Sequence, residues 1–294
     1  MRTLVYGSLN IDLVFPVDHI VQPGETITSA DPIKSAGGKG ANQAAALAKA
    51  GMEVFMAGKI GVDGRFLLEL LESYGVNTEK VIIYPGVTGQ AIIQLDRNGQ
   101  NSIILYAGGN REIRKDEIPG VLDTFTPGDA VLLQNEISNT GAIMEKAKER
   151  GMRVILNPSP FDDIIKELPL ELVDIIFVNE IEAAALASLT PDTTPSQILD
   201  RLTVQFTSAE IILTAGKKGA YYGFGKTREK GEIIDLPVAD TTGAGDTFTG
   251  YYIAARERRF SVPEALDLAC KAASIAVSRK GAMQSIPFMD EVFQ

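Results

Sequence analysis

Short β-branched runs alternate with amphipathic helical stretches along most of the chain, the runs are apolar on both alternating faces, and glycines punctuate the helix ends. Together these predict an α/β fold, a mostly parallel sheet flanked by helices on both faces, because only strands buried on both sides read as continuously apolar. Two segments break the rhythm and predict a small β-sheet lid.

In chain order, TLVYG (3–7) predicts the first strand. Residues 11–35 carry no helical period and read as strands and turns. A helix is expected over 38–50, entered from Gly37-Gly38 and stopped by Gly51. VFMAG (54–58) predicts a strand, and 63–74 a helix with Asp63 as N-cap and Gly75 after its last turn. Residues 86–107 again lack helical period, with RNGQ at 97–100 marking a hairpin. AVLLQ (130–134), RVILN (153–157), DIIFV (174–178) and EIILT (210–214) predict strands. Helices are expected over 138–150 (N-cap Ser138, stop Gly151), 180–189, 196–206, 245–257 and 262–279. Neither irregular segment has the mass for its own core. The 294 residues are therefore expected to form a single body over 1–294, with 11–35 and 86–107 as its lid.

Scarce residues narrow the chemistry. The chain has 28 Lys plus Arg against 38 Asp plus Glu, a net charge of −10, which argues against nonspecific binding to nucleic acid or anionic membrane. A small anionic substrate is still open, since it needs only a local cluster of N–H groups and a cation. A lone cysteine, Cys270, excludes an internal disulfide and a Cys-rich zinc site. The single histidine, His19, excludes paired-histidine metal chemistry and lies in a polar stretch where a surface role is expected. A general base is then expected to be a carboxylate. No run approaches the ~18 apolar residues of a membrane span, and MRTLVYGSLNID lacks a signal-peptide core, so a cytoplasmic protein is expected.

Four segments could carry chemistry. In AGGKGANQAAALAKAG (36–51) a Gly-Gly pair runs into an Ala-rich helix, placing free N–H groups at the positive end of the helix dipole. Lys39 and Asn42, three apart, share a face; the alternative is a tight turn before a buried helix. In DTTGAGDTFTGYY (240–252), Gly243, Ala244 and Gly245 precede Asp246, and such a turn can present several N–H groups to one anion. A simple acidic helix cap is the competing reading. VNEIEAA (178–184) puts Asn179 and Glu182 at a strand end, an amide and a carboxylate suited to Mg²⁺ or its water shell, although Glu at a helix start is common for dipole reasons alone. GKT at 225–227 has Ala220 where a Walker loop needs glycine and reads as a polar hairpin, which argues against a P-loop NTPase. Gly38-x-Gly40-x-x-Gln43 lacks the third glycine of a dinucleotide fingerprint.

Taken together, GSLNID (7–12), PGET (23–26), GGKGANQA (37–44), QNE (134–136), NPSP (157–160), NEIE (179–182), LTAGKKG (213–219), DTTGAGDTFTG (240–250) and AVSRKGA (276–282) resemble the ribokinase branch of the PfkB sugar-kinase family over essentially the whole chain. The resemblance implies a large α/β domain with a β lid that is also the dimer surface, and transfer of the ATP γ-phosphoryl group to the 5-hydroxyl of D-ribose. It implies Asp246 as the base, with Gly243, Ala244 and Gly245 forming an anion hole. It implies sugar contacts from Asn10, Asp12, Gly38, Lys39, Asn42 and Glu136; Asn10 and Asp12, two apart on a strand, point to one side.

For ATP the resemblance implies Asn179, the segment Thr214, Ala215, Gly216, Lys217, Lys218 and Gly219, then Gly245 and Cys270, where some relatives have His. Glu182 would organise Mg²⁺ through water. A K⁺ loop is implied at Asp240, Thr242, Ala276, Arg279, Gly281 and Ser285, partly through carbonyls; an Arg279–Asp240 ion pair is the alternative there. Rival readings are a kinase of another acceptor (2-deoxyribose, a hexose or a nucleoside) and a binding regulator that has lost turnover. The presence of Asp246 speaks against the second.

Overall fold

The computed structural model describes all of residues 1–294. Its main sheet holds nine strands in the order β13-β12-β11-β10-β9-β8-β1-β4-β5. These are β1 (Thr3–Tyr6), β4 (Val54–Ile60), β5 (Asn77–Ile83), β8 (Ala130–Gln134), β9 (Arg153–Asn157), β10 (Ile175–Asn179), β11 (Glu210–Thr214), β12 (Ala220–Phe224) and β13 (Thr227–Gly231). Every neighbouring pair from β5 to β11 is parallel; only β12 and β13 at one edge are antiparallel. The GKT segment is thus the turn of an edge hairpin, as its polarity suggested.

Helices cover both faces, and the period-2 alternation of the strands divides the core between them. Leu132, Ile155, Phe177 and Ile212 pack under α1 (Lys39–Lys49), α2 (Arg65–Ser73), α7 (Ala244–Glu257) and α8 (Val262–Val277). Their neighbours Val131, Leu156, Val178 and Leu213 pack under α3 (Ile118–Leu122), α4 (Thr140–Glu149), α5 (Glu180–Leu186) and α6 (Pro195–Gln205). A short α9 (Met289–Phe293) closes the chain. No helix is long and apolar enough to cross a membrane.

The two segments without helical period meet in a second sheet, ordered β3-β2-β6-β7, from β2 (Asn10–Pro16), β3 (Ile33–Gly37), β6 (Gly89–Leu95) and β7 (Asn101–Tyr106). The hairpin at 97–100 joins β6 to β7. β2 leaves the main sheet directly after β1, so its first residues lie at the body and its last in the lid.

Two expected helix caps are replaced. Asp63 sits in a 3-10 turn, Val62–Gly64, and accepts the N–H and hydroxyl of Thr88; α2 begins at Arg65. Ser138 donates to the Ile113 carbonyl, and Asn139, in the left-handed region at φ 61°, precedes α4. In both places a contact distant in sequence takes the polar side chain away from the helix end.

Candidate active site

Four adjacent parallel strands end on polar residues: Gln134, Asn157, Asn179 and Thr214 close β8, β9, β10 and β11. In open α/β sheets the crevice beyond the carboxyl ends of the strands is where ligands bind. Here α1 and α7 enter that crevice side by side. They touch closely: a Cβ at Gly250 would lie 2.5 Å from Ala46 Cβ. The N-terminal turns of both helices, with Lys39, Asn42 and Asp246, therefore face the same space.

Asp246 is 7% exposed. Asn42 Nδ2 donates to its Oδ2 at 3.0 Å and Gln43 Nε2 to its Oδ1 at 2.9 Å. Asn42 Oδ1 is buried without any partner. An unpaired acceptor in a buried wall costs about 1–3 kcal/mol, and a ligand hydroxyl would satisfy it. Glu136 accepts the Lys39 N–H at 3.1 Å and the Ser8 hydroxyl. Burial opposes the Lys39 ammonium, but Asp246, Glu136 and Glu182 outweigh it and hold its pKa above the ordinary value. Burial, reinforced by Glu136, pushes the Asp12 carboxyl up to about 6. Asn10 accepts from Asn110 Nδ2 at 2.7 Å. Gly38 leads into α1 at φ 94°, a conformation open chiefly to glycine. Of the six expected sugar contacts, Asn42 bonds Asp246 directly and Lys39 shares its cavity; Glu136 accepts the Lys39 N–H, Asp12 lies within electrostatic reach of Glu136, and the Gly38 main chain lies against that of Asn10.

Gly243, at φ 75°, turns the chain into α7. Ala244 N–H already donates to the Thr241 carbonyl at 3.3 Å. The N–H groups of Gly243, Gly245 and Asp246 have no partner in the protein, so the free donors run from 243 to 246 and skip 244.

Two cavities join along this turn and share Thr214, Thr241, Ala244 and Gly245. The smaller, about 270 Å³, is polar and also holds Lys39, Asn179, Glu182 and Asp246. The larger, about 700 Å³, is walled by Ile233, Leu236, Val238, Ala273 and Val277, with Gly216, Lys217 and Gly219 at its rim. Cys270 lies in this wall, and burial pushes its thiol up to about 12, leaving a neutral packing surface. Lys218 pairs with Glu180 at 2.8 Å and Ala215 is buried beneath the turn, so neither lines the cavity.

Asn179 and Glu182 cap α5 reciprocally, each accepting the other's main-chain N–H, at 2.9 and 3.0 Å. Glu182 Oε1 keeps no protein partner. One free carboxylate oxygen fits a divalent ion reached through water. No three His, Cys, Asp or Glu side chains converge anywhere, so such an ion would be held mostly by phosphate and water.

In the expected cation loop, Asp240 accepts the Thr242 N–H and hydroxyl and the Gly281 N–H. Burial opposes ionisation, but these bonds outweigh it and hold Asp240 below the ordinary carboxylate range. Arg279 pairs with Glu291 at 2.6 Å, so the alternative pair with Asp240 does not form. The Ala276 carbonyl accepts the Arg279 N–H, and Ser285 donates to the Ala282 carbonyl. Lys49 secures the same loop, donating to the Met283 and Ile286 carbonyls at 2.8 and 2.9 Å.

The sequence reading missed Gln43, Gln134, Asn157 and Asn110. The signal for Gln43 was present: it stands four residues after Lys39, on the face already assigned to Lys39 and Asn42.

The family model for pfkB carbohydrate kinases matches residues 2–289. The chain belongs to the pfkB family of carbohydrate kinases. It is 34% identical to the ribokinase of Staphylococcus aureus, covering 100% of this chain and 99% of that one. The structure of Cryptococcus neoformans ribokinase in complex with ADP superposes with a TM-score of 0.86 at 38% identity, over 99% of this chain and 98% of that one. Arabidopsis thaliana ribokinase complexed with ribose and ATP gives 0.88 at 32%, over 99% and 97%. The fold expected from the resemblance, a mainly parallel sheet with a small β lid, is the one observed, and the family is one of phosphotransferases.

Proposed function

We propose that the protein transfers the γ-phosphoryl group of ATP to the 5-hydroxyl of D-ribose. The observation that carries this is a linked polar set: Asn42 bonded to Asp246, Lys39 in the same cavity, Glu136 bonded to the Lys39 N–H, and Asn10 and Asp12 on the strand paired with the Gly37 segment, beside a run of free main-chain N–H groups and the large apolar-walled cavity. The polar set suits a small polyol, whose hydroxyls need paired donors and acceptors in a closed site. The larger cavity suits an adenine nucleoside, with its phosphates directed to the 243–246 turn.

The chemistry follows from the geometry. Asn42 and Gln43 hold the Asp246 carboxylate, which accepts the proton of the primary hydroxyl. The N–H groups of Gly243, Gly245 and Asp246 stabilise charge on the transferred group. In phosphoryl transfer the transition state is loose, so positioning and charge neutralisation dominate and proton removal comes late. Mg²⁺, organised through water by Glu182 beside Asn179, supplies further charge neutralisation on the phosphates when bound. K⁺ is assigned to the loop of Asp240, Thr242, Ala276, Arg279, Gly281 and Ser285, where it would stiffen the turn before Asp246.

The whole chain acts as one kinase domain, with the four-stranded sheet closing over the sugar to exclude water. That sheet also supplies the surface for a homodimer: Ile33, Ile103, Ile104 and Leu105 are all at least half exposed on it. Cytoplasmic localisation fits the ATP requirement and the absence of a membrane-length helix.

The reading is tested by a panel of sugars and nucleosides with Mg-ATP, following ADP release. D-ribose should give the highest kcat/KM, and 2-deoxyribose less, since a site built to bond a hydroxyl penalises its loss. A hexose or nucleoside used more efficiently than ribose would overturn the acceptor assignment and leave the kinase class standing.

A further inference from the structure

Gln43 is fully buried and belongs to a chain of amides whose orientations are all determined. Asn157 Nδ2 donates to the Phe177 main-chain carbonyl at 3.0 Å, which leaves Asn157 Oδ1 as an acceptor. Gln43 Nε2 donates to that oxygen at 2.9 Å. At the other end of the amide, Gln134 Nε2 donates to Gln43 Oε1 at 2.6 Å. A carbonyl oxygen can only accept, so the Phe177 carbonyl fixes Asn157, Asn157 fixes Gln43, and Gln43 in turn fixes Gln134, whose own Oε1 has no partner. The NH₂ of Gln43 must then face Asp246. A flipped amide would set its oxygen against both Asn157 Oδ1 and the carboxylate.

From this geometry we infer that Gln43 is a positioning residue for Asp246, aiming one carboxylate oxygen while Asn42 holds the other. With one N–H on each oxygen, the carboxylate plane is pinned and its remaining lone pairs are left for the hydroxyl proton. Neither amide titrates, so this orientation persists over the working pH range. The close approach of α1 to α7 at Ala46 and Gly250 keeps the helix that carries Gln43 against the helix that carries Asp246. The inference rests on the reading of Asp246 as the base.

The test compares Gln43→Met, which keeps length and removes both donors, with Gln43→Glu, which differs from wild type by one group and sets a second carboxylate against Asp246. Folding is checked by thermal melting and by ADP binding. For Gln43→Met, kcat should fall about 10–100-fold, the scale of a small misplacement of a reacting group. KM for both substrates should stay within about threefold, and the acid limb of the kcat profile should move to higher pH, since losing a donor favours the protonated carboxyl. Gln43→Glu should move that limb further. A purely structural role would lower stability and leave the limb in place. If either folded variant keeps near-normal kcat, or loses kcat with no movement of the limb, the inference fails. Asp246→Asn is measured alongside and should lose about 10²–10⁴ in kcat. Near-normal turnover in Asp246→Asn overturns the base itself, whereas a silent Gln43 beside an inactive Asp246→Asn overturns only the positioning role.

Discussion

Asp240 accepts the main-chain N–H of Gly281 at 3.1 Å, tying the segment before the 243–246 turn to the loop beyond α8. Arg279 takes no part in this tie. The charge of the carboxylate is therefore met by no guanidinium, only by the Lys280 ammonium beyond ion-pair distance, and on the proposed reading a monovalent cation among nearby carbonyls completes its balance. At constant ionic strength kcat should be several-fold higher in potassium than in tetramethylammonium chloride. Asp240→Asn should remove most of that difference. Equal rates in the two salts would make the tie purely structural.

Asp12 gives a pH dependence with a definite sign. Its carboxyl titrates near 6 in the folded protein, above the ordinary value, because burial and Glu136 oppose its charge. KM for the sugar should rise as pH falls through about 6, and Asp12→Asn should have a raised KM with no such step. The folded state also holds this proton more tightly than the unfolded chain does. Stability without ligand should accordingly decline as pH rises from about 4 to about 6. Above pH 6 the unliganded Asp12→Asn protein should melt higher than wild type.

Cys270 faces the larger cavity as a neutral side chain. Cys270→Phe would fill part of that space. Overpacking costs about 1–3 kcal/mol, so KM for ATP should rise on the order of tenfold while KM for the sugar changes little. Steady-state rates with each substrate varied in turn decide it, and an unchanged KM for ATP would remove Cys270 from the nucleotide wall.

Gly250 sets the distance between α1 and α7. In Gly250→Ala the new methyl meets Ala46 Cβ at 2.5 Å and the Leu47 main-chain nitrogen at 2.8 Å, so the helices must part. Stability should drop by about 1–3 kcal/mol. Turnover should drop with it, because Asn42 and Gln43 lie on one helix and Asp246 on the other. Denaturant melts and kcat on the same preparation test both; an unaffected kcat would show that the site tolerates the wider spacing.

Much of the fold was legible where local pattern and burial agree. The strands ending on Gln134, Asn157 and Thr214 were read within a residue of their observed ends, since each is apolar and bounded by a turn. β5 was not read, because NTEKVII begins polar at the sheet edge, where one side meets solvent. Within the site, Asp246, Lys39 and Asn42 could be found from helix spacing. The apolar wall from Ile233 to Val238 could not, because it runs as irregular chain with neither period and gains meaning only when α8 packs beside it. Asn110 is likewise joined to Asn10 by a contact spanning 100 residues.

The donors at Gly243, Gly245 and Asp246 belong to the main chain, which every residue but proline carries. Only exchange to proline deletes such a group; any other bends the turn at most, with Gly243, at φ 75°, the position least able to change. On the proposed reading, acceptor choice rests in contrast on the side chains of Asn10, Asp12, Asn42 and Glu136, each removable by a single codon change. Inherited variation that spares Asp246 and the amides holding it should therefore redirect which alcohol receives the phosphoryl group more readily than it abolishes the transfer.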